Sequence, residues 1–311
     1  MFWYSSYGFT INSDIELPLC TNNTLVSEKK IEIRKMLNIS DKCFTQVYKV
    51  NITKTKQLIC FADELETSLT IDFEHYVLFK FIKHEDDILF LYYFYDDYPQ
   101  EWKERLVSRF GFAYLLSWLG MIVLHGSAVS DGNKTVCMVA DSNGGKSSLA
   151  GLFVSDGQFL VADELVVLSK DRNQVVVYNS SCYLHLSEYS ISNMPLGRLS
   201  VEDIEFTFTN AYMDLSEKKK RVRLIEKTDQ YPRACDRVLS IVRGNNDNVW
   251  IETPSKTDAF MLLLKHEYTP IVFPFMRKNL LNIIGSIPVQ ILCFKDCFKQ
   301  FDLIKSAIKE N

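Results

Sequence analysis

The stretch ADSNGGKSS, residues 140–148, decides how the rest of the chain is read. It has the form A-x-x-x-x-G-K-S. A loop that holds a phosphate chain turns backbone N–H groups inward, which glycines permit. It sits on a helix N-terminus, where the peptide dipoles favour an anion. It also supplies a lysine for the terminal phosphate oxygens and a hydroxyl for Mg²⁺. Asn143, Gly144, Gly145, Lys146, Ser147 and Ser148 are the candidate nucleotide-binding residues, with Ser147 as the hydroxyl. Ala140 stands where the usual pattern has its first glycine. At a strand exit the demand is for a small residue, and a methyl group costs little where φ is negative.

The flanking sequence supports this reading. TVCMVA (135–140) is an apolar run ending at the loop, and KSSLAGLFVS (146–155) suits a helix. Upstream, MIVLHGSAVS (121–130) reads as a strand, joined to the next by a turn at Asp131-Gly132. Downstream, QFLVADELVVLSK (158–170) is a strand with Asp163 and Glu164 in its middle. Adjacent carboxylates in an apolar strand are costly to bury unless paired or bound to metal. A phosphoryl-transfer site uses one carboxylate on Mg²⁺ and, for an alcohol acceptor, another as base. Neighbours on a strand face opposite sides unless the strand ends or bulges. If both acids serve one site, Asp163 is therefore expected at a strand end. His125, alone after the apolar MIVL, is a further candidate because its strand directly precedes the one feeding the loop.

The segment LHGSAVSDGNKTVCMVADSNGGKSSLAGLFVSDGQFLVADELVVL (124–168) resembles the kinase domain of HPr kinase/phosphorylase and its relatives, whose core is similar to that of phosphoenolpyruvate carboxykinase. The shared pattern falls on His125-Gly126, Asp141-Ser142, Gly145-Lys146-Ser147, Gly157, Leu160-Val161-Ala162 and Asp163. The resemblance implies that Lys146 and the loop backbone hold the nucleotide phosphates and that Ser147 and Glu164 bind Mg²⁺. It implies that Asp163 is the catalytic base and that His125 lies beside it. Catalysis then rests on Asp163, His125 and Lys146, with ATP or GTP and Mg²⁺ as cofactors. Glu164 replaces the family's second aspartate and Ser148 an acid that often follows the Lys-Ser pair. No Arg-Pro-Gly-Arg segment occurs later in the chain, which argues against HPr as the acceptor. The divergent branch that phosphorylates serine on peptides, such as lasso-peptide precursors, or free serine is the better comparison. There EKKKRVRL (217–224) is similar to a basic stretch that could bring Lys220, Arg221 or Arg223 to phosphates; a solvated strand face is the alternative.

The fold class expected is mixed α/β (α+β): a phosphate-loop core of the HPr kinase and carboxykinase kind over 101–311, after a β-rich region over 1–100. In that first region QVYKVNITK (46–54), SLTIDFE (68–74), YVLFKFIKH (76–84) and DILFLYYFY (87–95) read as strands, with HEDD (84–87) as a turn. VSEKKIEIRKMLNI (26–39) fits a strand or a short helix. QEWKERLVSRFGFAYLLSWL (100–119) has helical spacing with Trp102, Leu106, Phe110 and Ala113 or Tyr114 on one side. Later strands are expected at QVVVYNS, RVLSIVRG, NVWIET and VQILCF, and helices at KTDAFMLLLKHEY and FKQFDLIKSAIKE.

Composition bounds the partners. The chain has 311 residues, 35 basic against 39 acidic, for a formal net charge of −4, so no dominant positive field is available to hold nucleic acid. The apolar run 110–124 is short for a membrane span and is broken by Ser117 and Gly120. The first residues lack the basic start and apolar run of a secretory signal. Eight cysteines without a C-x-x-C pair suit buried thiols in a reducing cytoplasm better than a zinc site. The expected partners are a nucleotide and a peptide, protein or small hydroxyl-bearing acceptor, with self-association left open. A non-catalytic nucleotide-binding regulator is the rival from another class.

Overall fold

Alternating Val, Ile, Phe and Tyr build the front strands, because branched and aromatic side chains pack well on a half-buried pleated surface. These are β1 (Phe2–Ser6), β2 (Phe9–Ser13), β3 (Lys30–Lys35), β4 (Thr45–Asn51), β5 (Gln57–Ala62), β6 (Ser68–Phe73), β7 (Val77–His84) and β8 (Asp87–Phe94). They form one sheet in the order β1-β2-β3-β8-β7-β6-β5-β4. The ambiguous stretch at 26–39 thus contributes a strand, and the turn after His84 closes the β7–β8 hairpin with Glu85 at φ 54°. The computed structural model describes the chain except residues 20–26, 38–44, 52–56, 63–66, 74–75, 173, 181, 211–214, 225–231, 246, 269–280, 284 and 311. Over 45–51, 57–62, 203–210 and 215–218 it describes the backbone alone.

The helical segment after β8 runs as α1 (Gln100–Arg105), a π-helical stretch (Leu106–Gly111) and α2 (Phe112–Trp118). The expected apolar stripe does not hold along it. Trp102 is 44% exposed, while Val107, Phe112, Leu115 and Leu116 are fully buried. The wider turn shifts the helical phase, so a stripe counted at 3.6 residues per turn slips out of register. Gly111 is required where it stands, since a β-carbon there would collide with the Phe90 ring. The chain divides into two compact units after Leu119, so this helix goes with the front sheet.

The second unit begins at Gly120. Its elements are β9 (Ile122–Ser130), β10 (Thr135–Val139), α3 (Lys146–Ser155), β11 (Phe159–Asp171), β12 (Gln174–Tyr178), β13 (Tyr183–Leu186) and α4 (Glu188–Ser192), then β14 (Leu199–Asn210), β15 (Leu215–Leu224), β16 (Arg233–Ala234), β17 (Arg237–Arg243), β18 (Trp250–Glu252), α5 (Lys256–His266), β19 (Val289–Phe294) and α6 (Phe301–Glu310). One sheet has the order β16-β12-β11-β9-β10-β17-β19-β18, and a smaller one the order β13-β15-β14. β10 runs parallel to β17, and β17 to β19, while β9 pairs antiparallel with both β10 and β11. The described chain is a mixed α+β fold with three sheets.

β10 reads as an unbroken apolar run because both of its faces are covered. Met138 packs with Leu149 and Phe153 of α3, while Cys137 and Val139 pack with Ala259 and Leu263 of α5. The five cysteines whose side chains are described are all free thiols, and four of them are buried. Among the described residues no helix is long and apolar enough to cross a membrane.

Candidate active site

The loop between β10 and α3 owes its shape to small residues. Asn143 and Gly145 both have left-handed backbones, at φ 61° and 96°, which asparagine and glycine tolerate best. Gly144 lies between them. A β-carbon there would sit 2.5 Å from the Ala140 methyl and 2.9 Å from the Asp141 carbonyl oxygen. The Ala140 side chain, 1% exposed, therefore fills the space that a side chain at 144 would need. The Ala140 backbone does not enter the positive-φ region, so its methyl group carries no backbone strain.

Gly145 caps α3 and has no side chain with which to accept from its first N–H groups, and among the described residues no side-chain cap takes its place. At α4 and α5 that place is taken by Ser187 and Ser255, which accept from Ser190 and Asp258. The α3 N-terminus thus presents its donors and dipole to the loop. Lys146 is buried and donates to the carbonyls of Ala140 at 2.9 Å and Asp141 at 3.3 Å. Burial lowers its pKa, and the carboxylates of Glu164 and Asp163 oppose that shift. Lys265 of α5 pairs with Asp141 at 2.7 Å and holds that carboxyl below its usual range. The Arg243 guanidinium rests on Phe294, 5.0 Å from the ring centre, and closes over Gly145, whose β-carbon would come within 2.9 Å of Nη2.

The acids do not sit at a strand end. Asp163 and Glu164 lie inside the thirteen-residue β11, opposite Ser127 and Gly126 of β9. Backbone conformation brings them together instead. Glu164 is left-handed, at φ 73°, which breaks the alternation that would send neighbouring side chains to opposite faces. Asp163 and Glu164 consequently join His185 of β13 in one cluster, with a ligating atom of each residue within 4.8 Å of the others.

Asp163 is well held. Its Oδ1 accepts from Ser127 Oγ at 2.6 Å and from Ser147 Oγ at 2.9 Å, and its Oδ2 accepts from the His185 amide at 3.3 Å. Burial, followed by the charge of Glu164, pushes its pKa up to about 6, and the hydrogen bonds pull the other way. His125 stands 3.5 Å from Glu164 Oε2, so the carboxylate it addresses is that of Glu164, where the sequence reading expected the base. His185 Nδ1 lies 3.9 Å from Glu164 Oε1 and 4.0 Å from Asp163 Oδ2.

Other expected residues are placed differently. Ser148 Oγ bonds Ser190 Oγ of α4 at 2.8 Å, so its hydroxyl is engaged outside the loop. In the basic stretch Lys220 pairs with Glu188 at 3.3 Å. Arg221 and Arg223 lie opposite His185 and Tyr183, sharing their face of the small sheet, and both guanidiniums approach the Tyr183 ring. Lys219 falls on that face by alternation and is near enough to depress the Lys146 pKa. Sequence reading missed His185, Lys265, His266 and Arg243. For His185 a signal existed: Leu184-His185-Leu186 places one polar residue between two buried ones. His266 is buried, and desolvation pulls its pKa down to about 4. A cleft of about 680 Å³ is formed entirely by front-unit residues, among them Asp14, Glu16, Tyr92 and Asp96, and includes nothing from the loop.

No protein-family model matches the chain, and no curated protein matches it in sequence. Among solved structures, the HPr(Ser) kinase/phosphatase from Coxiella burnetii superposes with a TM-score of 0.29 at 13% identity, covering 60% of this chain and 94% of that one. A superposition that loose carries no weight for fold or function.

Proposed function

We propose that the second unit is a nucleotide-dependent kinase with a phosphate-loop core of the HPr kinase and carboxykinase kind. It transfers the γ-phosphoryl group of ATP or GTP to a serine hydroxyl of a peptide or protein. The observation that carries this reading is the 2.9 Å hydrogen bond from Ser147 Oγ to Asp163 Oδ1. It joins the first turn of the loop helix to the buried carboxylate, so phosphate-holding and proton-accepting groups stand side by side.

The residues fit a Mg-nucleotide. The uncapped α3 N-terminus and the glycine pair suit a phosphate chain, and Lys146 adds a positive charge at the loop mouth. Ser147 and Glu164 would supply oxygen ligands for Mg²⁺, a hard cation that prefers such donors. When bound, Mg²⁺ neutralises charge that builds on the phosphate oxygens during transfer. Asp163 accepts the proton of the acceptor hydroxyl. That oxygen bonds to the γ-phosphorus as the bond to the β-bridging oxygen breaks, leaving a nucleoside diphosphate. A raised pKa makes Asp163 a stronger base than an ordinary carboxylate.

Two variants test the division of labour. Lys146→Ala is expected to lose nucleotide affinity and transfer together. Asp163→Asn is expected to bind nucleotide like wild type and to lose about 10²–10⁴-fold in turnover. Wild-type turnover in Asp163→Asn overturns the assignment of the base.

A further inference from the structure

We propose that Arg221 and Arg223 of β15 hold a carboxylate of the acceptor within two residues of its serine, so that acidic acceptors are preferred. This deepens the kinase reading and rests on it for the serine. The small sheet has two unlike faces. Leu184, Leu186, Val222 and Leu224 join the core cluster that includes Leu149 and Phe153 of α3. Alternation sends Tyr183, His185, Arg221 and Arg223 to the other face. The candidate base lies against that second face. Asp163 Oδ1 is engaged by Ser127 and Ser147, which leaves Oδ2 as the less engaged oxygen, and the His185 amide donates to Oδ2 at 3.3 Å. A hydroxyl that gives its proton to Oδ2 therefore arrives beside His185.

Arg221 is paired with His185, and Arg223 with Tyr183. Successive positions on one face of a strand are about 6.8 Å apart, the same repeat that an extended acceptor peptide has. A carboxylate one or two residues from the serine thus falls within reach of one guanidinium or the other. Order along β15 separates these two from the nucleotide. Lys219 lies toward the loop, close enough for its charge to act on Lys146. Arg221 comes next, and Arg223 stands at the end away from the loop. Both guanidiniums lie near the Tyr183 ring, 5.1 and 5.9 Å from its centre. An aromatic neighbour orients the planar fork, which matches a carboxylate with two parallel hydrogen bonds. Arg221 is half-buried and Arg223 exposed, so an incoming peptide can reach the pair. Glu202 of β14 also acts on Tyr183 by its charge, and the three cations outnumber it. Arginine clusters of this kind read acidic motifs in peptides.

The test measures fluorescence anisotropy of labelled, amide-capped peptides with a central serine, added to the full chain with Mg²⁺ and a non-hydrolysable ATP analogue. The positions within two residues of the serine are all alanine, all lysine, or alanine with a single glutamate at each place in turn. The best glutamate peptide should bind at least about tenfold more tightly than the alanine peptide, the scale of one charge-assisted hydrogen bond. Arg221→Gln should remove most of that preference. Arg223→Glu should turn it toward the lysine peptide, a swap that loss of structure cannot produce and that stands if Arg221→Gln does not fold. An alanine peptide ending in a free carboxylate two residues after the serine tells a chain end from a side chain as the source; tight binding of it also supports the proposal. A fluorescent ATP analogue should bind both variants like wild type. Equal affinity for glutamate and alanine peptides overturns the proposal. So does nucleotide affinity that falls in the variants while the acid preference stays, which would put the arginines on the phosphates. Acid preference as described, without phosphoryl transfer, leaves this binding face standing and removes the kinase reading. Transfer to serine peptides that ignores neighbouring acids does the reverse.

Discussion

Replacing Gly144 by alanine puts a methyl group 2.5 Å from the Ala140 methyl and 2.9 Å from the Asp141 carbonyl oxygen. Carbon atoms pack at about 3.5–4.0 Å, so the overlap with Ala140 is about 1 Å. Both residues sit at the mouth of the loop, one strand-anchored and buried, so neither yields freely. Overpacking of this kind costs about 1–3 kcal/mol. Ala140→Gly alone should cost about 1–2 kcal/mol, from a lost buried methyl and a freer backbone in the unfolded chain. The double variant removes the methyl–methyl clash and leaves the carbonyl contact. It should therefore be less destabilised than the sum of the single changes by about 1 kcal/mol. Urea denaturation of wild type, the two single variants and the double variant measures that coupling. A fluorescent nucleotide analogue reports in parallel whether the loop still closes, with affinity falling in Gly144→Ala and partly restored in the double variant. Strict additivity, or a Gly144→Ala protein as stable as wild type, refutes the claim that Ala140 and Gly144 share one small space.

Two further outcomes follow from the same geometry. Glu164→Asn should raise stability by about 1 kcal/mol in thermal unfolding, because asparagine tolerates the left-handed backbone and one of two crowded charges is removed. The same change should cut phosphoryl transfer at least about tenfold; equal or lower stability contradicts the strain assigned to Glu164. His266 is held neutral in the fold, its pKa lowered from 6.5 to about 4. The unfolded chain then takes up the proton first, so stability falls as pH drops from about 6.5 to about 4. The loss approaches about 3 kcal/mol at the acid end, and His266→Gln should lack that part of the pH dependence. A variant with the wild-type acid slope removes His266 as its source.

The parts of the fold that were legible in the sequence are those built from local signals. Two apolar runs joined by Asp131-Gly132 give the β9–β10 hairpin, and Lys146–Ser155 is the helix its composition promised. The phase of the helix after β8 was not legible. A π-helical stretch over Leu106–Gly111 leaves no mark that a 3.6-residue count detects. The candidate site was half legible. Lys146, Ser147, Asp163 and Glu164 lie within one short segment whose order the strands and helix preserve. How two adjacent acids meet was misjudged, because alternation assumes an extended residue and Glu164 is left-handed. His185 reaches the acids from a different sheet, and Lys265 reaches Asp141 across 124 positions. Such pairings are fixed by tertiary packing, and one chain's sequence carries no register for them. The basic stretch shows the same limit: strand pairing puts Arg221 and Arg223 on the His185 face and turns Lys220 to Glu188.

The central claim is that the loop and the β11 carboxylates form one phosphoryl-transfer site. Its most direct measurement is intact-mass analysis after incubation with Mg-ATP or Mg-GTP and two acceptor pools, serine-bearing peptides and free amino acids. Members of the peptide pool should gain one phosphoryl group with wild type and none with Asp163→Asn. A gain confined to free serine keeps the site and changes the acceptor. Nucleotide bound with no mass gain in either pool contradicts the claim and makes the second unit a nucleotide-binding regulator.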